Sequence, residues 1–140
     1  MEKRKIVLPD IEYASQNPEN LRVVLTGKDT KGHLSIIEQT YSEGEEVLPH
    51  NHTRESHLVE VLRGRFRFDF PGAEVVLTSR QLINIPDGLW HGFTALDDVN
   101  ILRVYIYPAG LEALFAAMEE NPEMQKDEVN RLVTEFGIER

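Results

Sequence analysis

Between Gly64 and the pair Pro71-Gly72 the chain reads Arg-Phe-Arg-Phe-Asp-Phe, and this alternation restricts the fold more than any other stretch. On an extended strand successive side chains leave opposite faces, so Phe66, Phe68 and Phe70 share one face while Arg65, Arg67 and Asp69 share the other. A helix would scatter both sets around its axis. The segment therefore reads as a strand with one dry and one solvated face, as in antiparallel sheets that cover a core on one side. Further β-rich runs fall at 21–26, 34–41, 58–63, 75–77, 82–85 and 100–107, separated by Gly, Pro or polar turns. Many short strands of this kind predict an all-β antiparallel sandwich or barrel. In the run 100–107, Ile101, Arg103, Tyr105 and Tyr107 share one face and Leu102, Val104 and Ile106 the other. Alternation alone does not say which set faces the interior.

The period changes after Pro108-Ala109-Gly110. Leu111, Leu114, Phe115 and Met118 follow the i, i+3, i+4, i+7 spacing of an amphipathic helix, interrupted by Asn121-Pro122. A second helix is expected from near Asp127, burying Val129, Leu132, Val133 and Phe136 and stopping at Gly137. Either the two helices simply cover apolar barrel surface, or they close the mouth of a site. The expected organisation is a single domain: residues 1–110 as the barrel with an N-terminal strand arm at 5–8, and 111–140 as a helical extension packed on it.

At 140 residues the chain is long enough for one proper core. A net charge of -9 argues against nucleic acid or an anionic membrane surface as partner. No apolar run reaches membrane-span length, the N-terminal residues lack the apolar core of a signal peptide, and there is no cysteine. A cytoplasmic location is the expectation.

Chemistry concentrates in the segment 44–64, which holds three of the five histidines. His50 and His52 are two apart and leave the same strand face, whereas His57 would face away on an unbroken strand. The polar run Thr53-Arg54-Glu55-Ser56 suits a turn or bulge that returns His57 to that side. His91 follows the turn Pro86-Asp87-Gly88, and four such imidazoles suit one divalent ion. His33, beside Gly32, has no partner nearby and reads as a surface residue. Trp90 should point away from His91 and pack elsewhere.

Gly44-x5-His50-x-His52-x4-His57-x6-Gly64 resembles the first motif of the cupin family, and Pro86-x-Gly88-x-x-His91 the core of its second. The resemblance covers about residues 34–108 and implies a small antiparallel β-barrel, the double-stranded β-helix or jelly roll, with metal ligands on its strands. His50, His52 and His91 fall on the family's three histidine positions. His57 stands where a glutamate is usual; Arg80-Gln81 replaces the usual Gly-Asp opening of the second motif, and Ala95 its closing Asn. Four neutral imidazoles would leave the ion its full charge and favour an anionic ligand. Glu55, two residues short of the family position, is the competing fourth ligand, and His57 is preferred. Cupins of this size also imply a homodimer, with strand 5–8 pairing across it.

The segment from Pro108 to Phe115 is similar to the tail of single-domain cupins related to quercetin dioxygenase. The resemblance implies a metal-dependent enzyme for a small organic molecule, foremost a dioxygenase of an enolate or diketone-type substrate, with Fe, Mn, Ni or Zn as the ion. Val61, Phe68 and Phe93 are the expected apolar wall of the substrate site, although plain core is the simpler role for the phenylalanines. No residue besides the ligands stands out as acid or base; Glu55 is the nearest. Two alternatives stay open: a redox-neutral cyclase or isomerase, as in four-histidine zinc cupins resembling polyketide cyclases, and a non-catalytic binding module with a structural ion.

Overall fold

The computed structural model describes residues 21–140, so the expected arm at 5–8 lies outside the described residues. Nine strands precede two helices: β1 Leu21–Leu25, β2 Ser35–Ser42, β3 Glu46–His52, β4 Ser56–Arg63, β5 Arg65–Phe70, β6 Ala73–Thr78, β7 Leu82–Ile85, β8 His91–Ala95 and β9 Val99–Tyr107, then α1 Glu112–Glu120 and α2 Lys126–Glu135. A two-residue strand, β10 Ile138–Glu139, ends the chain. The strands form two five-stranded sheets, ordered β1-β2-β9-β4-β7 and β10-β3-β8-β5-β6, with every described pairing antiparallel. This is the expected all-β jelly roll with two C-terminal helices.

The alternating strand behaves as its pattern requires. Phe66 and Phe68 are fully buried between the sheets, and β5 turns back into β6 through Pro71-Gly72, pairing Phe70 with Ala73. In β9, Leu102, Val104 and Ile106 face inward, which settles the choice that alternation left open. Tyr41, Phe66, Phe68 and Phe93 pack their rings edge-on or tilted at centroid separations of 5.3 to 6.2 Å. Such offset geometry suits the ring quadrupoles and makes this the dense part of the core.

One end of the sandwich is latched by Asn100, fully buried. Its Oδ1 accepts from the Arg65 and Asp97 backbone N–H groups at 3.1 and 3.0 Å, and its Nδ2 donates to the Tyr41 and Asp97 carbonyls at 3.2 and 2.6 Å. One side chain thus satisfies the β4–β5 and β8–β9 connections, whose backbone groups would otherwise be stranded. Gly64 is required beside it: at φ 79° a Cβ would sit 2.3 Å from Asn100 Oδ1. Cα–Cβ sterics and the latch both demand glycine there.

The helices stand where the period change placed them. Leu111 and Leu114 are buried, and so is Val133 on α2, with Val129, Leu132 and Phe136 partly so. Glu112 ties the start of α1 to the barrel, its carboxylate accepting from Gly27 N at 2.7 Å and Gly110 N at 2.8 Å. After α2 the chain passes Gly137 and returns to the sheet, Ile138 pairing with His52 and Glu139 with Asn51. No sequence signal announced this return, because two residues carry no periodicity.

Candidate metal centre and cavity

His50 and His91 face each other directly across the β3–β8 pair. They do so because β3 carries an extra residue between Val47 and His50, where the register shifts. Val47 pairs with Phe93; without the bulge at Leu48-Pro49, the next inward position would be 49 and His50 would face out. Gly92 permits the bulge. A Cβ there would lie 2.7 Å from the Val47 carbonyl oxygen and 3.0 Å from Pro49 N. Its glycine serves close approach, since its φ is not in the left-handed region.

β3 ends at His52, and residues 53–55 form the corner leading to β4, in the opposite sheet. The corner is held by the second histidine segment: Gly88 N donates to the His52 carbonyl at 2.9 Å, and Asp87 N to Ser56 Oγ at 3.0 Å. His57 then enters β4 facing inward with Val59, as the expected reset of alternation requires. The four rings cluster from two sheets, with centroid separations of 4.4 Å (His50–His91), 4.8 Å (His50–His52), 4.1 Å (His52–His57), 5.6 Å (His52–His91) and 6.4 Å (His57–His91). Of the sequence's fifth histidine nothing enters here: His33 is exposed on a loop.

Two overlapping donor sets result. His50, His52 and His91 offer ligand atoms within 4.8 Å of one another, and so do His52, Glu55 and His57. The tautomers are directed by neighbours. Nδ1 of His50 lies 3.0 Å from the Leu48 carbonyl and Nδ1 of His91 2.8 Å from that of Leu89. A carbonyl can only accept, so the neutral rings carry their proton on Nδ1 and present a lone pair at Nε2. His52 Nδ1 is 3.1 Å from Glu55 Oε1, which orients that ring in the same sense.

Burial is the main reason the His91 pKa falls to about 4, helped by the other three imidazoles against a hydrogen bond to the Leu89 carbonyl. Burial likewise lowers His50 and His52. Burial alone would raise Glu55, but its hydrogen bond with His52 and the nearby His57 ring hold it at about 2. A carboxylate this acidic is a fixed charge, so Glu55 is a poor proton carrier. It positions His52 instead.

The donor set fits a divalent transition ion. His50, His52 and His91 are held toward the neutral form that binds metal, and among the described residues His57 Nε2 is buried without a hydrogen-bond partner. Glu55 Oε1 is 3.8 Å from that nitrogen, too far to satisfy it.

The cluster opens on a cavity of about 620 Å3, within the usual size of small-molecule sites. Phe68 and Phe93 line it, as do Ile37, Leu102 and Val104 of the opposite sheet. Val61 does not. It lies on the same face of β4 as His57 and Val59 but farther along, where side chains fill the space between the sheets and it is wholly buried. Trp90 is also off the cavity and 38% exposed, so it packs less than the sequence reading supposed. Missed from the sequence were the contributions of the C-terminal segment: Leu114, Phe115, Met118, Val133, Ile138 and Arg140 all reach the lining. The first four are apolar positions of the two expected helices, for which closing the mouth of a site is one of two readings; Ile138 and Arg140 carry no signal.

Two facing antiparallel sheets with a His/Glu cluster that could hold a metal ion at one end define a jelly-roll fold. The chain belongs to the family described as the cupin domain, which matches residues 37–107, half of the chain. No curated protein matches the sequence. Among solved structures it is similar to KdgF from Halomonas sp., with a TM-score of 0.65 and 17% identity over 76% of this chain and 99% of that one. It is also similar to the polyketide cyclase RemF from Streptomyces resistomycificus (TM-score 0.56, 24% identity, 76% and 80% covered). A predicted oxalate decarboxylase from Thermotoga maritima gives a TM-score of 0.58 at 15% identity, with 63% and 78% covered. At these identities the likeness is one of fold.

Proposed function

We propose that this chain is a metal-dependent cupin enzyme acting on a small organic molecule, foremost as a dioxygenase of an enolate or diketone-type substrate. One observation supports it above others: a histidine cluster with one buried, unsatisfied ring nitrogen faces a mostly apolar cavity of substrate size. His50, His52 and His91 would hold the ion, with His57 as fourth ligand and Glu55 as the partner that orients His52. Held there, a divalent ion would supply a Lewis-acid centre for an enolate and, if redox-active, the electron-transfer capacity that oxygen chemistry needs. The protein's own part is to exclude water and orient the substrate. Phe68 and Phe93 form the wall beside the cluster, and Leu114, Phe115 and Met118 cover it, so that residues 111–140 act as the lid of one domain, 1–140.

A second reading is a redox-neutral cyclase or isomerase, supported by the three-histidine set His50, His52 and His91 and by the shared fold with a polyketide cyclase. The ligand is a small molecule in both readings, and the location cytoplasmic. Among the described residues no helix is long and apolar enough to cross a membrane.

Metal analysis of protein purified without chelators or a histidine tag comes first, with one equivalent of Fe, Mn, Ni or Zn expected. Oxygen uptake is then followed with pentane-2,4-dione and with quercetin as trial substrates. Uptake that depends on the loaded metal supports the dioxygenase; turnover of either compound without oxygen favours the redox-neutral reading. Protein that holds no metal at all sinks both.

A further inference from the structure

The chain's return to the sheet brings a charge to the cavity. Ile138 pairs with His52 and Glu139 with Asn51, so antiparallel register sets Arg140 opposite His50. Alternation sends Glu139 outward, where its Oε1 accepts from Asn51 Nδ2 at 2.7 Å, and sends Ile138 and Arg140 to the histidine side. Both line the cavity. Arg140 is exposed at its mouth, and Nη2 donates to Asn130 Oδ1 on α2. Among the described lining residues it is the one permanent cation, set against a single carboxylate, Glu46, in walls that are otherwise mostly apolar, and it belongs to a protein of net charge -9.

We propose that Arg140 is the anion-recognition residue of the cavity, gripping the carboxylate of a small organic acid whose other end lies against the histidine cluster. The guanidinium fork matches the two oxygens of a carboxylate, and a single arginine among apolar walls suits one carboxylate on an apolar body. A phosphate dianion would call for more donors than the mouth provides. The proposal rests on reading the cavity as a substrate site, and it narrows that substrate to a carboxylic acid. It assigns Arg140 to binding and orientation, and the protons and electrons of the reaction to other groups.

The test titrates the protein with benzoate and with its neutral isostere benzamide, by NMR, in metal-free and in zinc-loaded form. The wild type should prefer benzoate in both forms. Arg140→Ala should bind benzoate about tenfold more weakly, as loss of one charge-assisted pair implies, and leave benzamide unchanged. Arg140→Lys should fall between. Asn130→Ala removes the arginine's neighbour but keeps its charge, and should hold benzoate within about twofold. Equal losses of benzoate and benzamide in Arg140→Ala would show a purely structural role and overturn the proposal, as would unchanged benzoate binding. Failure to take up zinc would defeat the metal reading alone, because the metal-free titration still decides the role of Arg140.

Discussion

As a fourth ligand, His57 would separate this site from the commoner mixed one. Its Nε2 is buried, unpartnered and 4.1 Å ring-to-ring from His52, while Glu55 already engages His52. His57→Ala should therefore weaken metal binding by at least about 10- to 100-fold, which is what loss of a merely supporting group costs. His57→Glu should keep the metal but weaken an anionic ligand, because it adds a negative charge beside the ion. Metal content after dialysis, measured side by side, checks both; full retention by His57→Ala would leave the metal to the other three histidines. The titrating groups make a second prediction. Between pH 6.5 and about 4 the unfolded chain protonates His91 while the folded, metal-free chain does not. The unfolded state then binds more protons, so stability rises with pH through that window and is lost on acidification. Glu55 adds the same sign between 4.5 and about 2, since its ionised form is the one the fold holds. Urea midpoints of metal-free protein should fall from pH 7 to pH 4.5, and a flat profile would contradict the buried neutral cluster.

At the scale of elements, the bulge in β3 matters most, because it turns His50 toward His91. Gly92→Ala would place a methyl group 2.7 Å from the Val47 carbonyl and push the bulge away. The expected cost is about 1–3 kcal/mol of stability, typical of overpacking, together with a clear loss of metal affinity. Urea unfolding and a zinc titration read the two effects separately. Unchanged affinity in a folded variant would mean that the close approach at Gly92 does not place His50. The corner between β3 and β4 is the matching device on the other side, where Ser56 and Asp87 join the two histidine segments.

For the whole molecule, the sheet edges set the expectation. Among the described residues β6 and β7 are edge strands, and they carry Val76 and Leu82, 51% and 53% exposed. Open edges with apolar side chains are a liability that a symmetric partner removes. We expect a homodimer in solution, and light scattering showing a monomer at micromolar concentration would count against it.

The sequence by itself determined the layer architecture, the inward set of β5, the helical stripe and the spacing of His50, His52 and His57, while His91 was grouped with them through the motif resemblance. Those features are local: period-two and helical spacing follow from backbone geometry, and Gly and Pro turns carry their own conformational signal. The tertiary structure alone decided which side of β9 faces in, that Val61 is core and off the cavity wall, and that Glu55 orients His52. It alone revealed the latch at Asn100 and the return of Ile138–Glu139 to β3, which puts Arg140 at the mouth. Apart from the Glu55–His52 pair, three residues apart, these depend on partners far away in the chain, Glu139 lying 88 residues from Asn51. A pairing at that distance is selected by the packing of the finished fold, and no short-range pattern in the sequence encodes it.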